Sequence, residues 1–169
     1  MHDTAAQEHA AAGFQEDLAK LVVRVTVAAL ILLHTWAVIN GETETGATLH
    51  YMVEKPDAGE LVDQQAVRIL PDDTALDVFG KVTLAAELVL HRSLPGLIAG
   101  AAPRIALDLA KGSYFGGRKP EDCRIDWTKS SLQIFNLIRA VTDPYPGAFS
   151  VIAGARLMVW WAEPGTPAT

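Results

Sequence analysis

Apolar and polar positions fall into blocks of different period along the chain. Residues 1–17 are rich in Ala, Glu, Gln and Asp without a sustained apolar stripe, the pattern of a frayed helix or tail. Residues 21–39, LVVRVTVAALILLHTWAVI, form a nearly unbroken apolar run that approaches a membrane span in length. Arg24 and His34 interrupt it, and a charge inside a bilayer is costly, so the expectation is a buried core segment rather than a membrane helix. The residues before it are acidic and Ala-rich, unlike the basic leader of a secretory signal.

From Ala47 the pattern alternates, with Ala47, Leu49, Tyr51 and Val53 on one face and Thr48, His50 and Met52 on the other, which predicts a strand. A second extended run covers residues 61–70, and the segment between them, Glu54-Lys55-Pro56-Asp57-Ala58-Gly59, has turn chemistry. Pro71-Asp72-Asp73-Thr74 signals a helix start in which Asp72 or Asp73 caps free amides. Leu76, Phe79, Val82, Ala86, Val89 and Leu90 then predict one buried stripe, with a kink or break at Leu94-Pro95-Gly96. After a glycine-rich linker, Thr128 is placed to cap a helix over 130–141 with Leu132, Phe135, Ile138 and Val141 facing inward. Residues 148–152 and 156–161, joined through Ala153-Gly154-Ala155, predict a hairpin that needs further strands for stability.

With 50% hydrophobic and 20% charged residues among 169, the chain can bury a core, and a formal net charge of -6 argues against a dominant nucleic-acid surface. The single cysteine, Cys123, excludes an intramolecular disulfide, and no Cys/His group has zinc spacing, so a reducing cytoplasm and no metal are the expectation.

GETETGATLH (41–50), EKPDAGELV (54–62), SYFGGRKPEDCRIDW (113–127) and NLIRAVTDPYPGAF (136–149) together resemble the formyltransferases that use 10-formyltetrahydrofolate. The first and third runs are closer to the formyltransferase domain of the polymyxin-resistance enzyme, which acts on UDP-4-amino-4-deoxy-L-arabinose, than to methionyl-tRNA formyltransferase. The resemblance implies an α/β fold: the second half of a Rossmann-like formyltransferase domain followed by the start of a small C-terminal β-barrel domain. On this reading 1–34 is an atypical N-terminal segment, 35–112 the partial Rossmann-like domain, 113–127 an interdomain linker and 128–169 the start of the C-terminal domain. The implied partners are 10-formyltetrahydrofolate as formyl donor and a UDP-amino-sugar as acceptor.

By the same resemblance Asp57 is the catalytic aspartate, and Val53, Glu54, Lys55, Pro56 and Asp57 form the cofactor-contacting loop. Formyl transfer needs a neutral amine, a stabilised oxyanion and a proton acceptor. The family meets these needs with an Asn-x-His pair, whose histidine the aspartate tunes. The pair should fall near Ala19-Lys20-Leu21, yet Asn40 and Asn136 are the only asparagines and neither has His two residues later. The chain is therefore expected to be catalytically incomplete, lacking parts of the family pattern at both ends. A non-catalytic binding module, an oligomer, or a partner chain supplying the missing half stays open as an alternative. His34, His50 and His91 are expected as ordinary packed or surface residues, and Arg118 and Lys119 as a solvated charged linker. Asn136 and Arg139, which match the family's interdomain helix, are expected either to hold the two domains together or to contact substrate, and one of Trp160 and Trp161 to enter the barrel core.

Overall fold

A computed structural model describes residues 28–55, 58–111 and 116–163. Helix α1 (Ala28–Asn40) is followed by strands β1 (Glu44–His50) and β2 (Leu61–Arg68), helix α2 (Ala75–Ile98), helix α3 (Ser131–Val141) and strands β3 (Ala148–Ile152) and β4 (Ala155–Val159). Among the described residues the result is an α/β fold with two antiparallel two-stranded sheets, β1-β2 and β3-β4. The β1-β2 register runs from Glu44 opposite Arg68 to His50 opposite Leu61. Strand β1 thus begins before the apolar alternation does, because ladder hydrogen bonds extend through Glu44, Thr45 and Gly46 whatever their side chains. Ala47 and Leu49 are buried as expected, whereas Val53 lies beyond the strand and is exposed.

Helix α2 departs from its expected start and end, and of its expected stripe Val82 and Val89 are buried while Leu76 is not. Thr74, rather than an aspartate, is the N-cap: its hydroxyl accepts from the Asp77 amide and the Asp77 carboxylate accepts from the Thr74 amide, a reciprocal capping box. Asp73 is occupied elsewhere, accepting from the Leu70 amide at 2.6 Å and from Lys81. The buried stripe is Ala75, Val78, Val82, Ala85 and Val89, while Leu76, Leu84 and Leu88 face outward. Small and β-branched residues let the helix lie close against the sheet, which the leucines would prevent. The helix also continues through Pro95 to Ile98 before Gly100, at φ +67, turns the chain. A proline in the last turn removes only one late hydrogen bond, so the predicted break is absent.

Ser130, not Thr128, caps α3 through a second capping box with Gln133. Ile138 and Val141 are buried, but Leu132 is exposed, and the inward face also carries Asn136, Arg139 and Ala140. The β3-β4 turn falls at Ala153 and Gly154, both at positive φ, as a two-residue hairpin turn requires. Both tryptophans beyond β4 are exposed, contrary to the expectation that one enters a core; they line an apolar cleft with Phe135 and Ile138.

One core runs through both predicted domains. Val38, Ala47, Ile69, Val78, Val82 and Ala85 join Cys123, Ile125, Ile138, Ala140, Val141 and Ala148 in it. The part of the 21–39 run whose side chains are described agrees with a core role, since His34, Thr35 and Val38 are buried. No described helix is long and apolar enough to cross a membrane.

His34 brings a pH dependence into that core. Burial pushes its imidazole below the usual histidine range, while Nδ1 lies 3.4 Å from the Thr45 hydroxyl and buried Nε2 has no hydrogen-bond partner among the described residues. The unfolded chain takes up a proton at the ordinary histidine pKa, whereas the folded chain resists it until lower pH. Stability should therefore be fully present above that ordinary value and fall as pH drops through it towards the depressed folded value. Chemical denaturation at neutral and mildly acid pH should show this loss, and His34→Leu should flatten it.

Candidate functional site

The loop joining β1 to β2 carries the predicted cofactor-binding residues. At the end of the ladder, the Tyr51 amide donates to the Glu60 carbonyl at 2.9 Å and closes the loop's base. Gly59 makes this closure possible: a Cβ there would stand 1.6 Å from the Tyr51 carbonyl oxygen. His50 Nδ1 lies 3.2 Å from the same oxygen. Beneath the loop, Leu49, Val62 and Val89 form a second small core, joined by Tyr51, Leu97 and Ala102. Met52, Val53, Glu54 and Lys55 project from this base into solvent. Pro56 and Asp57 lie outside the described residues.

Gly59→Ala should destabilise the chain by about 2 kcal/mol or more, because the clash is with backbone and the side chains cannot relieve it. The denaturation midpoint would report the loss, and an unchanged midpoint would contradict this loop geometry.

A third segment completes the base. Leu61 and Ile105 exchange backbone hydrogen bonds of 2.7 and 3.0 Å, bringing residues near 105 against the start of β2. Arg104 stacks on the Tyr51 ring with 3.9 Å from guanidinium carbon to centroid, and its Nε donates to Glu60 at 2.7 Å. Sequence reasoning missed Arg104. It sits in an irregular segment with no period, and its partner Glu60 is 44 residues away.

The remaining polar candidates lie elsewhere. Arg139 and Asn136 are buried together on α3, where Arg139 Nε donates to Asn136 Oδ1 at 2.9 Å and Nη1 donates to the Asp73 carbonyl at 2.6 Å. Asp73 follows β2 at the end of the sheet away from the loop, so this pair ties α3 to the sheet and is remote from the cofactor segment. Arg118 is not a fully solvated linker residue: it is partly buried near Tyr145, with Nε and Nη1 buried and unpartnered. Lys119 is exposed. Cys123 is buried and its thiol is pushed up by burial, the opposite of an activated nucleophile. Among the described residues no cluster could hold a metal ion.

Two halves of one family match in chain order around this geometry. "Formyl transferase" matches residues 31–94, and "Formyl transferase, C-terminal domain" matches 118–169. The chain belongs to the formyltransferase family. An N-formyltransferase from Helicobacter canadensis, solved with folinic acid and dTDP-3-aminofucose, is 25% identical with a TM-score of 0.64, covering 73% of this chain and 46% of its own. WlaRD, a sugar 3N-formyl transferase solved in the presence of dTDP and 5-N-formyl-THF, is 25% identical with a TM-score of 0.64, covering 74% of this chain and 46% of its own. A 4-N formyltransferase from Francisella tularensis shares the fold at 23% identity and a TM-score of 0.66, covering 79% and 56%. The present formyltransferase-family chain thus spans about half the length of these solved structures.

Proposed function

We propose that this chain is a folate-binding formyltransferase module whose donor is 10-formyltetrahydrofolate and whose acceptor class is the amino group of a nucleotide-linked amino sugar, specifically UDP-4-amino-4-deoxy-L-arabinose. The observation that carries the reading is the β1-β2 loop. The family match covers it, it is braced from below, and it presents Val53, Glu54 and Lys55 to solvent ahead of Pro56 and Asp57. Two solved relatives were obtained with folate derivatives and with dTDP or a dTDP-sugar, which supports a folate donor and a sugar-nucleotide acceptor. Asp57 is the carboxylate assigned to catalysis, acting through a histidine that this sequence does not supply. Binding therefore outlasts turnover in this chain. A partner chain carrying Asn-x-His would complete the chemistry, and the free buried Cys123 suits a reducing cytoplasm.

Calorimetric titration of the full chain with 5-formyltetrahydrofolate, a donor analogue that does not transfer, tests the reading. Saturable binding weakened by Asp57→Ala supports it. A folded chain that takes up no folate overturns it.

A further inference from the structure

Two stems enter and leave the loop, and a single side chain touches both. Arg104 lies face-on over the ring of Tyr51, the first residue after β1, and donates to the carboxylate of Glu60, the last before β2. Its own backbone cannot drift, because the neighbouring Ile105 is paired in both directions with Leu61. Upstream, the Ala101 amide donates to the Gly96 carbonyl at 2.8 Å and Ala102 packs against Gly96 and the small core. The segment after α2 therefore forms a strap across the loop's base, with Arg104 as its side-chain clasp.

We infer that Arg104 is a positioning residue that holds Tyr51 and Glu60, the two ends of the β1-β2 loop, together and so favours ligand binding at that loop. The chemistry suits arginine in particular, since a planar guanidinium can stack on an aromatic face while an edge N–H serves a carboxylate. Lysine retains the charge but not the stack. An exposed ion pair alone contributes little, and the Arg104 side chain is 59% exposed. The effect arises because the same group joins two stems that the chain otherwise holds through the Tyr51–Glu60 backbone bond and the start of the ladder. This inference rests on the folate-binding reading for the identity of the ligand, though not for the bracing itself.

The test is hydrogen exchange on the full chain, paired with titration by 5-formyltetrahydrofolate, for Arg104→Ala, Arg104→Lys and Tyr51→Phe. Arg104→Ala should speed exchange of the Tyr51 and Ile105 amides by about tenfold and leave α3 amides unchanged, with folate affinity falling about fivefold. Arg104→Lys should fall between, and Tyr51→Phe, which keeps the ring but not the hydroxyl that also acts on Arg104, should lose less than Arg104→Ala. Unchanged exchange in Arg104→Ala overturns the inference, as does faster exchange with undiminished affinity. If the unaltered chain binds no folate, the functional reading fails, while exchange at the loop's base still decides the role of Arg104.

Discussion

Replacing Arg139 by Ala should lower the unfolding free energy by about 3 kcal/mol, a large loss for one substitution away from the loop. The side chain is only 8% exposed and donates to Asn136 Oδ1, to the Asp73 carbonyl at 2.6 Å and, more weakly at 3.4 Å, to the Leu70 carbonyl. The Asp73 carbonyl and Asn136 would both lose a charged donor within a buried setting. Hydrogen bonds to charged groups contribute about 1.5–3 kcal/mol each, and an acceptor left buried without a partner costs a further ~1–3 kcal/mol. Against this stands the cost of burying the guanidinium, which already pulls its pKa below the ordinary arginine value. The balance favours destabilisation because the acceptors cannot reach water when the donor is deleted. Arg139→Met keeps the stem's volume without the donors, so a loss close to that of Ala would assign the effect to hydrogen bonding. Urea unfolding with an unchanged slope is the measurement, and a midpoint within error of the unaltered chain would show that the Arg139 hydrogen bonds carry no energy.

The Arg139–Asn136 pair also explains why the chain reads as two domains but packs as one core. Asn136 Nδ2 stands so near Gly41 that a Cβ there would approach it to 2.9 Å, and Gly41 itself has φ +73, at the turn that leads from α1 towards β1. Residues from the N-terminal and C-terminal family matches therefore interlock at the end of the sheet remote from the loop.

Much of this architecture was legible in the sequence because its signals are local. Alternation identified β1, an extended run over 61–70 identified β2, and turn chemistry placed the loop between them. The phase of α2 was legible only in part: Val82 and Val89 of the expected stripe are buried, but Leu76 faces outward while Ala75, Val78 and Ala85 face inward, because the close approach to the sheet selects the smaller residues. The cap was missed for a related reason: Asp72, Asp73 and Thr74 all have capping side chains, and the choice is made by the reciprocal partner Asp77 and by the competing use of Asp73. At the candidate site, Val53 to Asp57 came from family resemblance, since a Pro-Asp-Ala-Gly segment by itself is only a turn. Arg104 had no local signal at all, and its role emerges only when folding brings it to Tyr51 and Glu60.

The largest expected effect concerns turnover. Supplied with 10-formyltetrahydrofolate and UDP-4-amino-4-deoxy-L-arabinose, the chain should form product about 10²–10⁴ times more slowly than a family member carrying the Asn-x-His pair, the range that positioned acid–base groups contribute. None of the described histidines makes up the deficit in an obvious way. His34 is buried, its imidazole pushed below the usual histidine range by burial, and sits beside Thr45 near the far end of β1, about 16 Å of strand from the loop's base. His50 is at that base, but Nδ1 lies 3.2 Å from the Tyr51 carbonyl oxygen, and no asparagine stands two residues before it to face an oxyanion. Single-turnover assays with the chain in excess, read by mass of the formylated sugar, would detect even a slow transfer. Product at a rate comparable to that of a complete enzyme would contradict the prediction. His50→Gln would then decide whether this imidazole takes the proton from the amine, because loss of turnover with folate affinity retained would place the base there.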